Sequence, residues 1–283
     1  MIIFQVVLSI SSMVVQNCFF NSVCKRELRT SDHVYRFNII IYAVNILLFG
    51  LGLIGGGISL FTVLLGLVFG VATALSNFYK MRSLSEGPMH ITLLITTASM
   101  IIPTMSGVFF GERFSILKLI FVVILIGFLY LSFDTSGGGK INKKWIIFVI
   151  LAFLMQGAIG VLQKVHQTSE YKSELSGFLF VAFICSLLYS RIMAKRSFKE
   201  LDFGKKHVIF AVVCGICTYL MNYLNLKLSG LLPTQLFFPL VNGSAIVLSS
   251  LSSVFIFKEK ISRRQLVGLV GGIFALVAIC LVK

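Results

Sequence analysis

The sequence predicts an all-α integral membrane protein, with ten transmembrane helices arranged as two inverted five-helix repeats. Three observations lead to this prediction. First, 57% of the 283 residues are hydrophobic and only 12% are charged, whereas a soluble domain carries about 25% charged residues. Second, apolar runs of about 18 residues or more recur along the whole chain, and each is long enough to cross a hydrocarbon core of about 30 Å as a helix. Third, polar residues repeat between the two halves at a nearly constant spacing.

The ten apolar runs are assigned in chain order, because charged or turn-forming residues separate them. The predicted spans of the first half are 2–22, 36–54, 58–80, 88–110 and 114–133. A linker is predicted over 134–143, since it begins with a polar segment that contains three consecutive glycines. The predicted spans of the second half are 144–164, 175–193, 207–227, 231–257 and 264–282. The domains predicted are therefore a first repeat over 1–133 and a second, inverted repeat over 144–283.

The internal repeat is carried by polar positions in the third helix of each half. The segment Gly70–Phe78 matches Gly215–Tyr223, with glycine, threonine, leucine and asparagine in the same order at an offset of 145 residues. Phe110–Ser115 matches Phe257–Ser262 at an offset of 147 residues. Because each half has an odd number of helices, the second half must enter the membrane from the opposite side, related to the first by a pseudo-two-fold axis in the membrane plane. Two such halves favour two near-equal states, with a substrate near the midplane between them.

The turn before the last helix of each half resembles that of a known family. Gly111–Ser115, Lys258–Ser262 and the glycine-bearing segment Gln265–Gly272 resemble EamA-type members of the drug/metabolite transporter superfamily. The resemblance implies alternating-access transport of a small metabolite or drug, through a cavity among predicted helices 1, 3, 4, 6, 8 and 9. It also implies that both termini lie inside the cell. The count of Lys and Arg, 19 in the loops of one side against 6 on the other, instead places both termini outside. The short loops favour a bacterial cytoplasmic (inner) membrane.

Polar side chains within the predicted spans are the candidates for a substrate cavity. The alternative is that such amides tie helices together, at about 0.6 kcal/mol each. Asn77 and Asn222 are the strongest candidates, because the repeat matches them and each lies beside an aromatic residue late in the central helix of its half. The residues predicted to line the cavity are Asn17, Asn21, Asn77, Tyr79, His90, Gln156, Tyr219, Asn222, Gln235 and Asn242.

Two prolines and two lysines are the candidates for moving parts and mouth charges. Pro103 and Pro239 lie inside predicted helices 4 and 9, where a missing N–H kinks a helix, so they are predicted to be gating hinges; a static bend is the alternative. Lys25 and Lys164 end the equivalent helices 1 and 6. They are predicted to attract an anionic group at either mouth, with snorkelling to the lipid headgroups as the plain alternative.

The functional prediction is a secondary active or facilitative carrier of a small neutral, zwitterionic or anionic metabolite. No acidic residue lies within a predicted span, which disfavours a proton-coupled exporter of organic cations. A multidrug exporter with an aromatic cavity and a non-transporting scaffold or subunit remain the alternatives.

Scattered histidines and the lack of a nucleophile or phosphate-binding motif predict neither an enzyme nor a metal or cofactor. The net charge of +15 is assigned to loops beside the lipid bilayer rather than to nucleic acid, and the chain is expected to be a monomer or a homodimer.

Overall fold

The computed structural model describes most of the chain, and helices make up nearly all of it. No described residue lies in a strand. The predicted linker, except Lys143, lies outside the described residues, as does 250–257 of the ninth predicted span. The residues described are 2–26, 30–53, 57–86, 89–113, 115–132, 143–194, 205–249 and 262–282, without the side chains at 21–26, 89–91, 93, 94 and 265.

The described residues form a series of helices. In chain order they are α1 (Ile2–Arg26), α2 (Ser31–Leu51), α3 (Leu60–Glu86), α4 (Met89–Ala98), α5 (Ile101–Ser106), α6 (Ile116–Ser132), α7 (Lys143–Thr168), α8 (Leu175–Met193), α9 (Lys205–Leu231), α10 (Thr234–Phe238) and α11 (Arg263–Leu281). Six of them (α1, α2, α3, α7, α8 and α9) are long and apolar enough to cross a membrane. The chain therefore has the composition and helix lengths of an integral membrane protein.

Several helices run further than their apolar cores. The sequence ends the third span at 80 and the sixth at 164, whereas α3 continues to Glu86 and α7 to Thr168. Helix α2 begins five residues before its predicted start, because the hydroxyl of Thr30 caps it by accepting a hydrogen bond from the N–H of His33. Hydropathy finds the lipid-facing part of a helix, whereas backbone hydrogen bonding continues into the polar region beyond it.

The spans predicted at 88–110 and 231–257 are each interrupted. The first consists of α4, a break at 99–100, α5 and a 3-10 turn over Gly107–Phe110. In a regular helix the N–H of residue 103 would bond to the carbonyl of residue 99. Pro103 has no N–H, so the break lies at the residue whose carbonyl loses that bond. In the second, Pro239 begins a π-helical turn over Pro239–Gly243 that leads into helical residues 244–249. Both interruptions lie where the interior prolines predicted kinks, and the hinge role of these prolines stays a prediction.

The main helix packing crosses between the two predicted halves. Helix α3 packs on α7 and α8, α9 packs on α1 and α2, α2 packs on α8, and α6 packs on α11. Helices α3 and α7 are antiparallel, since Ser59 contacts Glu174 at one end while Ser76 contacts Gln156 further along. We call the end where α3 begins and α7 and α9 finish end A, and the opposite end end B.

The outer surface of α6 and α11 is apolar and suited to lipid. The large side chains exposed there include Ile116, Ile120, Val123 and Phe274. A groove of about 480 Å³ follows this surface, and its lining is Phe128, Leu266, Val267, Val270, Gly271 and Phe274. Hydrocarbon chains match these residues, whereas water would leave them exposed without compensation.

Candidate functional site

Polar hydrogen bonds join the two predicted halves near the middle of their helices. Between α1 and α9, Gln16 Nε2 donates to Thr218 Oγ1 at 2.6 Å. Between α3 and α7, Ser76 Oγ donates to Gln156 Oε1 at 2.9 Å. Each of these four residues lies within about three positions of the centre of its helix. The interface between the halves is therefore polar at the depth where a bilayer is most apolar, and we call these contacts the polar layer.

On the α3 side of the polar layer, the structure brings together three of the predicted cavity residues. Asn77 is half-buried, and its Nδ2 donates to the hydroxyl of Tyr42 at 3.0 Å. It is the next residue after Ser76, so α3 makes the contact with Gln156 on α7 and the contact with Tyr42 on α2 at nearly the same depth. Tyr79 is half-buried further toward end B, with its ring centroid 6.0 Å from that of Phe148.

On the α1 and α9 side, three more predicted residues lie on these two helices. Asn17 is half-buried, and its Nδ2 donates to Ser249 Oγ at 3.4 Å. Asn222 is buried and donates to the backbone oxygen of Thr218 on its own helix at 2.9 Å. Tyr219 is half-buried, with its ring centroid 4.5 Å from that of Phe49. The repeat-matched Asn77 and Asn222 therefore differ, because the first bonds across helices and the second bonds within one.

The remaining described candidates lie near the interrupted helices. Gln235 is not at mid-depth, because it lies at end A, where its Oε1 accepts from the backbone N–H of Ser115 at 3.1 Å. Asn242 belongs to the π turn, and its Nδ2 donates to the backbone oxygen of Phe238 at 2.9 Å. Pro103 is buried against α7, where a Cβ added to Gly160 would lie 2.8 Å from its ring. The side chains of Asn21, Lys25 and His90 lie outside the described residues.

An ion pair between two largely buried side chains lies at end A. Lys164 Nζ lies 2.6 Å from Glu112 Oε1, and their side chains are 8% and 17% exposed. The same ammonium donates to the backbone oxygen of Ser229 at 3.0 Å. The other carboxylate oxygen, Glu112 Oε2, accepts from the N–H of Thr234 at 2.7 Å and from its hydroxyl at 2.5 Å. The positive charge of Lys164, which was predicted to lie at a mouth, is therefore neutralised by Glu112. The contacts of this ion pair connect four elements: the turn after the 3-10 helix, α7, α9 and α10.

A second carboxylate makes a matching contact at the same end. Glu174 Oε2 accepts from the N–H of Ser59 at 2.9 Å and from its hydroxyl at 2.8 Å. Ser59 in turn caps α3, because its Oγ accepts from the N–H of Thr62. Burial tends to raise the pKa of Glu174, but hydrogen bonds from Thr62 and Ser59 and the nearby His166 outweigh it and lower that pKa. Both halves thus place a glutamate at the first residues of a helix in the other half.

The contact between Glu112 and Lys164 was not predicted from the sequence. Glu112 and Lys164 are far apart in sequence and belong to different predicted halves, so no local spacing indicates their contact. Two features of the sequence could have pointed to it: Glu112 lies in the turn that resembles the family, and Lys164 ends the predicted helix that is equivalent to helix 1. Lys80, assigned to a helix end by hydropathy, lies within α3, with Nζ 5.9 Å from the ring centroid of Phe20 on α1. A cation therefore lies one turn from Asn77 along α3.

The described residues hold no group of three or more His, Cys, Asp or Glu side chains placed to bind a metal ion. No family model matches the chain, and no curated protein matches it. Among solved structures, 28 chains match. One, titled "Crystal structure of protein", has a TM-score of 0.71 at 14% sequence identity and covers 99% of this chain and 99% of its own. At this identity the likeness establishes a shared fold over essentially the whole length.

Proposed function

We propose that this protein is a secondary active or facilitative carrier, which moves a small neutral, zwitterionic or anionic metabolite across a bacterial cytoplasmic membrane by alternating access. Its architecture in this proposal is ten spans in two inverted five-helix repeats. The spans consist of the six long helices and the shorter apolar helical segments 95–110, 116–131, 234–249 and 266–281. The function follows from the architecture, because inverted halves exchange roles between two states that open to opposite sides.

The observation that carries the proposal is a matched pair of glycine contacts between the halves. Ser186 Oγ of α8 donates to the backbone oxygen of Gly70 on α3 at 2.7 Å. Asn45 Nδ2 of α2 donates to the backbone oxygen of Gly215 on α9 at 3.1 Å. Gly70 and Gly215 are equivalent in the sequence repeat, and α8 and α2 are the second helices of the two halves. The second helix of each half therefore donates a side-chain hydrogen bond to the equivalent glycine of the other half.

The wider packing supports the same exchange. The α3–α7 pair corresponds to the α9–α1 pair, and α3–α8 corresponds to α9–α2. The pairs α2–α8 and α6–α11 each correspond to themselves, so they lie where a two-fold axis would pass. This arrangement is expected of two inverted copies, and a scaffold that does not move has no physical need for it.

The proposed substrate class follows from the distribution of charge. The carboxylates of the described residues lie at helix ends or in turns, at Asp32, Glu86, Glu112, Glu170 and Glu174. Amides and hydroxyls occupy the polar layer instead. Such groups orient a ligand by hydrogen bonds without supplying a counter-ion for an organic cation.

The test combines ligand discovery with transport. Purified protein is screened against metabolites for a rise in apparent unfolding temperature, since a ligand of the native state stabilises it, and hits are assayed for uptake into proteoliposomes. Asn77→Ala and Asn222→Ala are each expected to reduce uptake about fivefold, because each removes an amide that would hydrogen-bond the substrate, a contact worth about 1 kcal/mol. Folded yield should be unchanged, because Asn77 is only half-buried and Asn222 bonds within its own helix.

Asn45→Ala serves as the matched control. It removes a buried amide that ties α2 to α9, so it should lower folded yield and leave the affinity for the hit compound unchanged. Normal uptake by both Asn77→Ala and Asn222→Ala would refute their place in the cavity. A screen without any stabilising metabolite, together with no uptake, would favour the scaffold.

A further inference from the structure

We propose that end A is a gate, held shut by two glutamates that each bind the first residues of a helix in the opposite half. The proposal rests on the carrier function above and names the part of the protein that controls which side is open. Glu112 binds Thr234 and Lys164, and Glu174 binds Ser59.

Each carboxylate is bonded in a way that depends on the two halves staying together. A negative charge is favourable at the first residues of a helix, where N–H groups lack helical partners. Glu112 belongs to the first predicted half and Thr234 to the second, whereas Glu174 belongs to the second and Ser59 to the first. Separation of the halves at end A breaks both contacts together.

The ion pair makes this closure sensitive to a single charge. Glu112–Lys164 is an ion pair that joins the two halves, whereas the pair Arg82–Glu86 lies within α3. A buried ion pair adds little net stability, but removal of one partner leaves the other charge buried and uncompensated. In the open state of end A that charge reaches water. Loss of one partner therefore penalises the closed state more than the open state.

The contacts also define which elements move. Lys164 Nζ binds Ser229 O at the end of α9, and Gln235 Oε1 binds the N–H of Ser115 at the start of α6. The interrupted segment 234–249 begins inside this network. Opening end A would therefore release the first turn of that segment, and the π turn at Pro239–Gly243 provides a place for it to bend.

The experiment is hydrogen–deuterium exchange of the full chain in lipid nanodiscs. In Glu112→Gln, the amide oxygen can still accept from Thr234, but Lys164 loses its counter-charge. Exchange over 228–238 is expected to rise about tenfold. A fully buried unpaired charge would have a larger effect, but both side chains keep some exposure to solvent. Because alternating access couples the two ends, exchange at end B, over 76–86 and 186–193, should fall.

Further variants separate a gate from local damage. Lys164→Gln should act like Glu112→Gln, and the double variant should return toward wild type, because no unpaired charge remains. Glu170→Gln is the control, since Glu170 is exposed at the same end, and it should change nothing. If exchange becomes faster at end A without becoming slower at end B, the ion pair only stabilises end A locally, and the gate is refuted. Unchanged exchange in the single variants would also refute it.

This readout needs no substrate, so the two proposals fail separately. Reciprocal exchange without transport of any compound would leave the gate standing and refute the carrier. Transport of a screened metabolite with no exchange response in Glu112→Gln or Lys164→Gln would support the carrier and refute the gate.

Discussion

Replacement of Gly70 by alanine should destabilise the protein more than any other glycine-to-alanine change considered below. A Cβ added at Gly70 would lie 2.7 Å from the Cβ of Cys185, and closer still to the carbonyl oxygen of Ala182. Ordinary contacts between carbons are about 3.5–4.0 Å, so α3 and α8 must separate by about 1 Å. The clash is with backbone, which a change of side-chain rotamer cannot relieve.

The expected magnitude combines three terms. Overpacking costs about 1–3 kcal/mol, and a backbone clash belongs at the upper end of that range. Separation of the helices also weakens the hydrogen bond from Ser186 to Gly70 O, worth about 0.6 kcal/mol between membrane helices. Alanine recovers about 1 kcal/mol of helix propensity. The net loss is therefore about 2–3 kcal/mol, equivalent to a fall in unfolding temperature of about 5–10 °C for a chain of this size.

Two other glycines provide graded controls. At Gly215 the nearest atom is the side-chain Cβ of Val44 at 2.8 Å, so the alanine variant should lose about half as much stability as Gly70→Ala. At Gly127 nothing lies within 4 Å, so Gly127→Ala should be neutral or slightly stabilising. Thermal unfolding in detergent, followed by size-exclusion chromatography, gives the order directly. If Gly70→Ala unfolds at the temperature of wild type, or if Gly127→Ala loses as much, the inferred contact between α3 and α8 is wrong.

Two further predictions use the polar contacts. Thr73 and Thr218 are equivalent in the repeat, but Thr73 Oγ1 is buried without a hydrogen-bond partner among the residues that the structure describes, whereas Thr218 Oγ1 accepts from Gln16. Thr73→Val should therefore leave stability unchanged or raise it by up to about 1 kcal/mol, and Thr218→Val should lower it by about 1 kcal/mol. Equal effects of the two changes in thermal unfolding would count against the assignment. The lowered pKa of Glu174 means that its hydrogen bonds from Thr62 and Ser59 stabilise the fold above the ordinary pKa of a glutamate, near 4.5, and that this contribution disappears as the pH falls through the lowered pKa. Wild type should thus lose stability between pH 5 and pH 3 more steeply than Glu174→Gln; parallel curves would show that the contact contributes nothing.

The helical architecture could be predicted from the sequence because lipid imposes a simple rule. A backbone in hydrocarbon must satisfy its own hydrogen bonds, so every long apolar run had to be a helix. The ends were predicted less well, as for α3, because hydropathy does not report where helical bonding stops. The interruptions near Pro103 and Pro239 were predictable from proline chemistry, whereas the π form of the second was not.

The candidate site was only partly accessible from sequence. The polar residues of α1, α3, α7 and α9 were found because amides are rare in apolar runs. Their partners were not, since Asn77 with Tyr42 and Gln16 with Thr218 depend on how helices pack. Lys164 was predicted as a mouth charge and Glu112 lies in the turn that resembles the family, and only the fold shows that they neutralise each other.

The lengths of the helices have a consequence for the surrounding membrane. Helices α3 and α9 have 27 described residues each, about 40 Å at a rise of 1.5 Å per residue. A typical hydrocarbon core is about 30 Å thick, so these two helices must tilt or extend beyond the hydrocarbon into the headgroup region. The stability of the protein should therefore depend on the acyl chain length of the surrounding lipid.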